Sequence, residues 1–211
     1  MKIKDSRRIL EIIAVILTGV GKFIFMDWLN VRFLYITVAI LFWVGYIIFR
    51  YRQDKSILKY WGLNKQNFKK SFLELLPFAI VLVFSFVLIG NSLGTNVLNW
   101  TILPILLLYP LWGIIQQFIM IGVLAKNIKE MESIHVPDLF IVLITAIIFS
   151  LVHYPFTLLI IGTFFLAIVY TILYLNKRNL IVMGIYHGWI GAFFFYTMLS
   201  RNPYDEVFRL L

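Results

Sequence analysis

Four polar side chains stand inside long apolar runs and could do chemistry there: the adjacent pair Gln116 and Gln117, then His153 and His187. An unperturbed imidazole titrates near neutrality, so a histidine at such a position is a candidate general base. A carboxamide takes no proton from water near neutral pH; it orients water or a peptide through its oxygen and its two N–H donors. Two neighbouring glutamines in an apolar helix cost desolvation unless they are hydrogen-bonded. Interhelical hydrogen bonding is the structural alternative for Gln and His alike. His187 lies within Gly184-x-x-x-Gly188, a spacing that lets a second helix approach closely. Packing accounts for those glycines and leaves the imidazole unexplained. Two histidines with no placed carboxylate are a thin ligand set, so a metal held by His153 and His187 is the weaker option and no cofactor is expected. Glu11, Lys22 and Glu74 also fall within apolar runs, but near their ends, where contact with water or snorkelling is the expected role.

The elements that must position these residues follow from composition. The chain has 211 residues, 62% hydrophobic and 14% charged, with a mean hydropathy of +0.92. A soluble domain is about half apolar and a quarter charged, so this excess cannot be hidden in one core. A soluble globule, a disordered tail and a nucleic-acid-binding module are excluded. The composition predicts an all-α, polytopic membrane bundle, because helices satisfy their own backbone in lipid. Seven spans are expected, over 9–28, 33–49, 72–90, 100–124, 139–153, 156–175 and 180–199, the fifth of them short. No repeat or separate soluble segment interrupts them, so residues 1–211 read as one integral membrane domain. The first run carries Glu11 and no small-residue cleavage site, so it reads as a retained span.

Lys and Arg number 19 against ten Asp and Glu, a net charge of +9. The cations cluster in alternate gaps: Lys2, Lys4, Arg7 and Arg8 at the start, seven between Arg50 and Lys70, then Lys126 and Lys129, then Lys177 and Arg178. The other gaps hold Arg32, no charge at 91–99, and the His153-Tyr154-Pro155 corner. This alternation predicts a cytoplasmic amino terminus and a carboxyl terminus outside. The basic excess therefore reads as a topology code facing the lipid bilayer, with no nucleic-acid partner. Within the long second gap, Ile57, Leu58 and Trp61 beside Lys55 and Lys59 suit a short interfacial helix, and a solvated basic loop is the alternative. Without cysteine there is no disulfide or thiolate chemistry. At 1.5 Å per residue, Gln116 lies ~12 Å and His187 ~10 Å from the cytoplasmic ends of their helices, a shared depth. His153 comes out ~22 Å from Asp138, level with them only if the fifth helix starts below the bilayer.

Three segments in order resemble the motifs of the CPBP intramembrane proteases, the group of CAAX prenyl endopeptidases and bacterial Abi proteins. Gln116-Gln117-Phe118-Ile119-Met120-Ile121-Gly122 aligns with Glu-Glu-x-x-x-Arg-Gly; Phe149-Ser150-Leu151-Val152-His153 matches Phe-x-x-x-His; His187-Gly188-Trp189-Ile190-Gly191 stands where His-x-x-x-Asn is expected. Asn179-Leu180 resembles the lead-in to the third motif. The resemblance covers residues 99–199. It implies a site in which the first-motif Glu and the second-motif His activate a water while the third motif stabilises an oxyanion. Here the Glu positions hold Gln116 and Gln117, the Arg position Ile121 and the Asn position Gly191. The second Glu and the Arg would pair across one turn. Losing one would strand a buried charge at ~3–5 kcal/mol, whereas losing both can be neutral.

Two functions stand open. One is an endopeptidase acting on membrane-embedded or lipidated peptides, with His153 as base and His187, Gln116 and Gln117 orienting water or oxyanion. The other is an inactive homologue that binds a peptide, lipid tail or membrane protein. A transporter is less well supported, since no inverted repeats or paired broken helices are present. The implied location is a bacterial inner (plasma) membrane, and the oligomeric state is not legible.

Overall fold

The computed structural model describes residues 3–177 and 179–208. Lys2 and Arg178, two of the cations on which the expected orientation rests, lie outside them. Every described element is helical: α1 (Asp5–Gly21) with a π-helical continuation (Lys22–Trp28), α2 (Arg32–Gln53), α3 (Ile57–Trp61), α4 (Phe68–Leu93), α5 (Ile102–Gln117) with a second π-helical segment (Phe118–Ala125), α6 (Lys126–Lys129), α7 (Asp138–Leu151), α8 (Thr157–Lys177), α9 (Leu180–Met198) and α10 (Pro203–Phe208). Six stretches are long and apolar enough to cross a membrane, and the fourteen-residue α7 is the short fifth run expected from the sequence. The fold is all-α and polytopic. Helix α2 buries only Trp43 and Arg50 and exposes Phe33, Leu34, Leu41 and Phe42, as a helix solvated by lipid does. Helix α9 is the opposite case, with 61% of its central window buried. The motif-bearing last span is a core helix. Helix α10, absent from the sequence reading, starts on Pro203 with Asp205 and Glu206 in its first turn, favourable choices for a helix N-terminus.

The chain divides into two compact units, Met1–Asn64 with Phe118–Leu180, and Lys65–Gln117 with Ile181–Leu211. In the first unit the π-helical segment Phe118–Ala125 is wholly buried. Phe118 meets Trp61 edge-on at 4.9 Å and Trp43 at 6.0 Å. Ile57 and Trp61 are fully buried, so α3 forms where the spacing suggested but packs against protein rather than lying on a lipid surface. Beside it, the motif lead-in is anchored: Leu180 N–H donates to the Gly62 carbonyl at 3.0 Å, and Asn179 Nδ2 to the Asn64 carbonyl at 3.4 Å. A Cβ at Gly122 would press on the tip of the Leu180 side chain and on the Phe118 ring.

Glu11 is not at a watery helix end. It is 4% exposed, and its carboxylate accepts hydrogen bonds from Arg50 Nη1 (2.6 Å), from Asn127 Nδ2 (2.6 Å) and from the Tyr46 hydroxyl. Arg8, buried nearby, donates to Asn127 Oδ1 (3.2 Å) and to Tyr60 (2.7 Å). One carboxylate thus ties α1 to α2 and α6. A buried charge in an apolar setting needs this many partners. Arg50 and Arg8, two cations of the basic segments, are thus buried members of this network.

In the second unit α5 crosses α9 through glycines. A Cβ at Gly113 would overlap the backbone of Gly184, one at Gly184 that of Ile114, and one at Gly188 that of Tyr109 and Pro110. Pro110 has no N–H to give to the Leu106 carbonyl one turn earlier. The Trp189 indole N–H from α9 fills that role at 3.0 Å. On the other side of α9, the Tyr186 hydroxyl donates to the Phe72 carbonyl on α4 at 3.0 Å. Phe72, Tyr186 and Trp189 form one aromatic cluster.

Candidate functional site

The glycine crossing sets the first contact of the site. Gly113 seats against Gly184 and Gly188, Gln116 follows one turn later on α5, and His187 lies between the two glycines of α9. Their side chains meet: Gln116 Oε1 is 2.8 Å from His187 Nε2. A carboxamide oxygen only accepts, so the ring proton of His187 sits on Nε2 in this arrangement. The first and third motif segments are thereby joined. His187 is buried and Gln116 half-buried.

Gln117, its neighbour on the helix, is a different case. It is 1% exposed, and its Nε2 has no hydrogen-bond partner among the described residues. Ile121, where the resemblance calls for Arg, is equally buried. Gly191, at the position of the expected Asn, is half-buried, and a Cβ there would meet nothing within 4 Å. A side chain at 191 is therefore absent without having been crowded out.

His153 belongs to the first unit. Helix α7 ends at Leu151, and His153 sits in the corner that follows. Its Nδ1 is 2.7 Å from the Phe149 carbonyl, a contact in which the ring must donate. The neutral ring then carries its lone pair on Nε2, the form a general base requires. Phe149 meets the imidazole edge-on at 5.0 Å, so the Phe-x-x-x-His spacing builds this geometry by stacking its two ends across one turn.

One residue near this corner was misjudged from sequence. Lys22 does not snorkel away from the protein. Its Nζ bonds Asp27 Oδ2 at 2.6 Å and the Tyr154 carbonyl at 2.6 Å. The pair Lys22 and Asp27, five apart, was legible as a π-helical spacing but not as an α-helical one. Glu74 is exposed and Glu11 is held by its own partners, so neither supplies a free carboxylate base. Among the described residues no three His, Asp or Glu side chains come together. His187 would have to give up Gln116 to offer Nε2 to a metal.

Residues 98–193 match the family model described as Type II CAAX prenyl endopeptidase Rce1-like. No curated protein and no solved structure matches the chain. The matched segment holds all three motif positions, and the helices around it are those of an integral membrane protein. Through residues 98–193, the chain is similar to the CAAX-type intramembrane proteases.

Proposed function

We propose that this protein receives a membrane-embedded or lipidated peptide and holds it without hydrolysis, as a binding or regulatory member of its family. The contact between Gln116 Oε1 and His187 Nε2 carries the reading. Where the family resemblance calls for a carboxylate, a carboxamide oxygen accepts a hydrogen bond from the imidazole N–H, and neither contacting atom can take a proton from water. The pair is suited to orienting: the Gln116 amide N–H groups are donors for a peptide carbonyl. Gln117, with Nε2 unpaired, is a second reserve of donors.

Hydrolysis is the second reading, and the ring of His153 favours it, since Nδ1–H is committed to Phe149 and Nε2 carries the lone pair. His153 would be the base, the role that the family resemblance implies for it. The two readings separate in one assay, using purified protein in lipid nanodiscs with a panel of prenylated and transmembrane peptides. Binding without cleavage is expected, weakened at least about tenfold, or ~1.4 kcal/mol, by Gln116→Ala. Cleavage by the wild type that disappears in His153→Ala overturns the binding reading and establishes the catalytic one. The membrane concerned is proposed to be a bacterial inner membrane, and fractionation of the native host tests that directly.

A further inference from the structure

The corner at His153, Tyr154 and Pro155 has a backbone problem. The His153 amide closes onto Ser150 and the Tyr154 amide onto Leu151, while the His153 carbonyl accepts from Phe156 N–H. The Tyr154 carbonyl lies past the end of α7, outside its hydrogen-bond ladder. What reaches it is the ammonium of Lys22, 132 residues earlier in the chain, at 2.6 Å.

The delivery of Lys22 is built into the first span. In an α-helix residues five apart point about 140° away from each other. The switch to i→i+5 bonding over Lys22–Trp28 instead stacks Asp27 beside Lys22, and the carboxylate grips the ammonium at 2.6 Å. The Phe23 ring lies under the same ammonium, 4.5 Å from its centroid. One turn earlier Gly19 faces Val152, where an added Cβ would sit 3.4 Å from Cγ1, so α1 packs directly on the residue preceding His153. The Lys22 side chain is 17% exposed, which is not the state of a cation that has snorkelled into headgroups.

We propose that Lys22 is a positioning residue for His153: by holding the Tyr154 carbonyl it fixes the corner in which the ring donates from Nδ1 and presents Nε2. Asp27 is the orienting partner of Lys22, and the π-helical turn exists to bring the two together. The inference rests on His153 being a member of the functional site, but not on whether peptide is bound or cut.

The test reads the ring without a substrate. Protein labelled with ¹⁵N at histidine is placed in nanodiscs, and the His153 signals are assigned by comparison with His153→Gln. The wild type is expected to show one neutral tautomer with Nδ1 protonated. Lys22→Met is expected to lose that single pattern, giving two tautomers in exchange, and Lys22→Arg to restore it. An unchanged single tautomer in folded Lys22→Met overturns the proposal. Should Lys22→Met fail to fold, the wild type decides the matter with ¹⁵N-lysine and ¹³C-carbonyl tyrosine labels. A through-space correlation between Lys22 Nζ and the Tyr154 carbonyl supports the clamp, and its absence overturns it. A failed peptide-binding assay leaves either result intact, so the two proposals fail separately.

Discussion

At the scale of single residues the candidate site is a contact between two polar groups, Gln116 Oε1 and His187 Nε2. Truncating one member removes this hydrogen bond, and a buried polar group that loses a partner costs about 1–3 kcal/mol, whereas replacing both with apolar groups of similar shape can be nearly neutral. Gln116→Leu is therefore expected to lower stability in detergent by about that amount, with Gln116→Leu/His187→Phe recovering much of it. A double variant no better than the sum of the singles would show that the 2.8 Å contact contributes no coupling. Trp189 makes a comparable case. Its indole N–H serves the carbonyl that Pro110 leaves without a donor, so Trp189→Phe keeps the ring but strands Leu106 O. A loss of about 1–3 kcal/mol in thermal or denaturant unfolding is expected. No sequence rule pairs Trp189 with Leu106, because the two lie 83 residues apart and the need arises only once α9 crosses the proline turn of α5.

At the scale of elements, close helix crossings and one buried charge network carry the weight. The glycines of α5 and α9 are not equivalent. Gly184→Ala drives a methyl group into the backbone at Ile114, and overpacking of this kind costs about 1–3 kcal/mol or prevents folding. Gly191→Ala meets empty space, and alanine is the better helix former by about 0.5–1 kcal/mol. Unfolding in detergent is thus expected to separate the two variants in opposite directions, and equal destabilisation would refute the crossing geometry. In the first unit, Arg50→Leu removes the main cation from Glu11 and leaves a carboxylate buried, at an expected ~3–5 kcal/mol. Adding Glu11→Leu to that variant is expected to return part of the loss, which a double-mutant cycle measures. The small-residue spacing on α9 announced its crossing in the sequence. The Glu11 network gave no such signal, because Arg50 reads as one of seven cations in a basic gap until the fold turns it inward.

At the scale of the whole molecule, the apolar excess sits where lipid is the solvent. Phe33, Leu34, Phe84, Leu107 and Leu111 are exposed along their helices, and such faces are stable in a bilayer while they would aggregate in water. Trp28 and Trp100 are strongly exposed at the ends of their spans, where amphipathic rings anchor at an interface. Orientation follows from the cation pattern, with the amino terminus proposed in the cytoplasm. Reporter fusions at Gly94 and after the last residue are expected to register the outer side, and a fusion at Lys65 the cytoplasmic side. A cytoplasmic signal at Gly94 would invert the topology.

The class of this protein, its helical character, the short fifth run and the three motif positions were all decided by the sequence, because hydropathy over a span and residue type at fixed spacing are local properties. Contacts are not local. That Gln116 meets His187, that Gln117 is buried with Nε2 unpartnered among the described residues, and that Glu11 is clamped between α2 and α6 depended on which faces the helices present. The clearest case is Lys22: an isolated cation near the end of an apolar helix is read as snorkelling, since that is the lowest-energy course for a helix alone in lipid. A neighbouring corner with an unmet carbonyl gave it a better one, and only the tertiary structure brings that carbonyl within 2.6 Å.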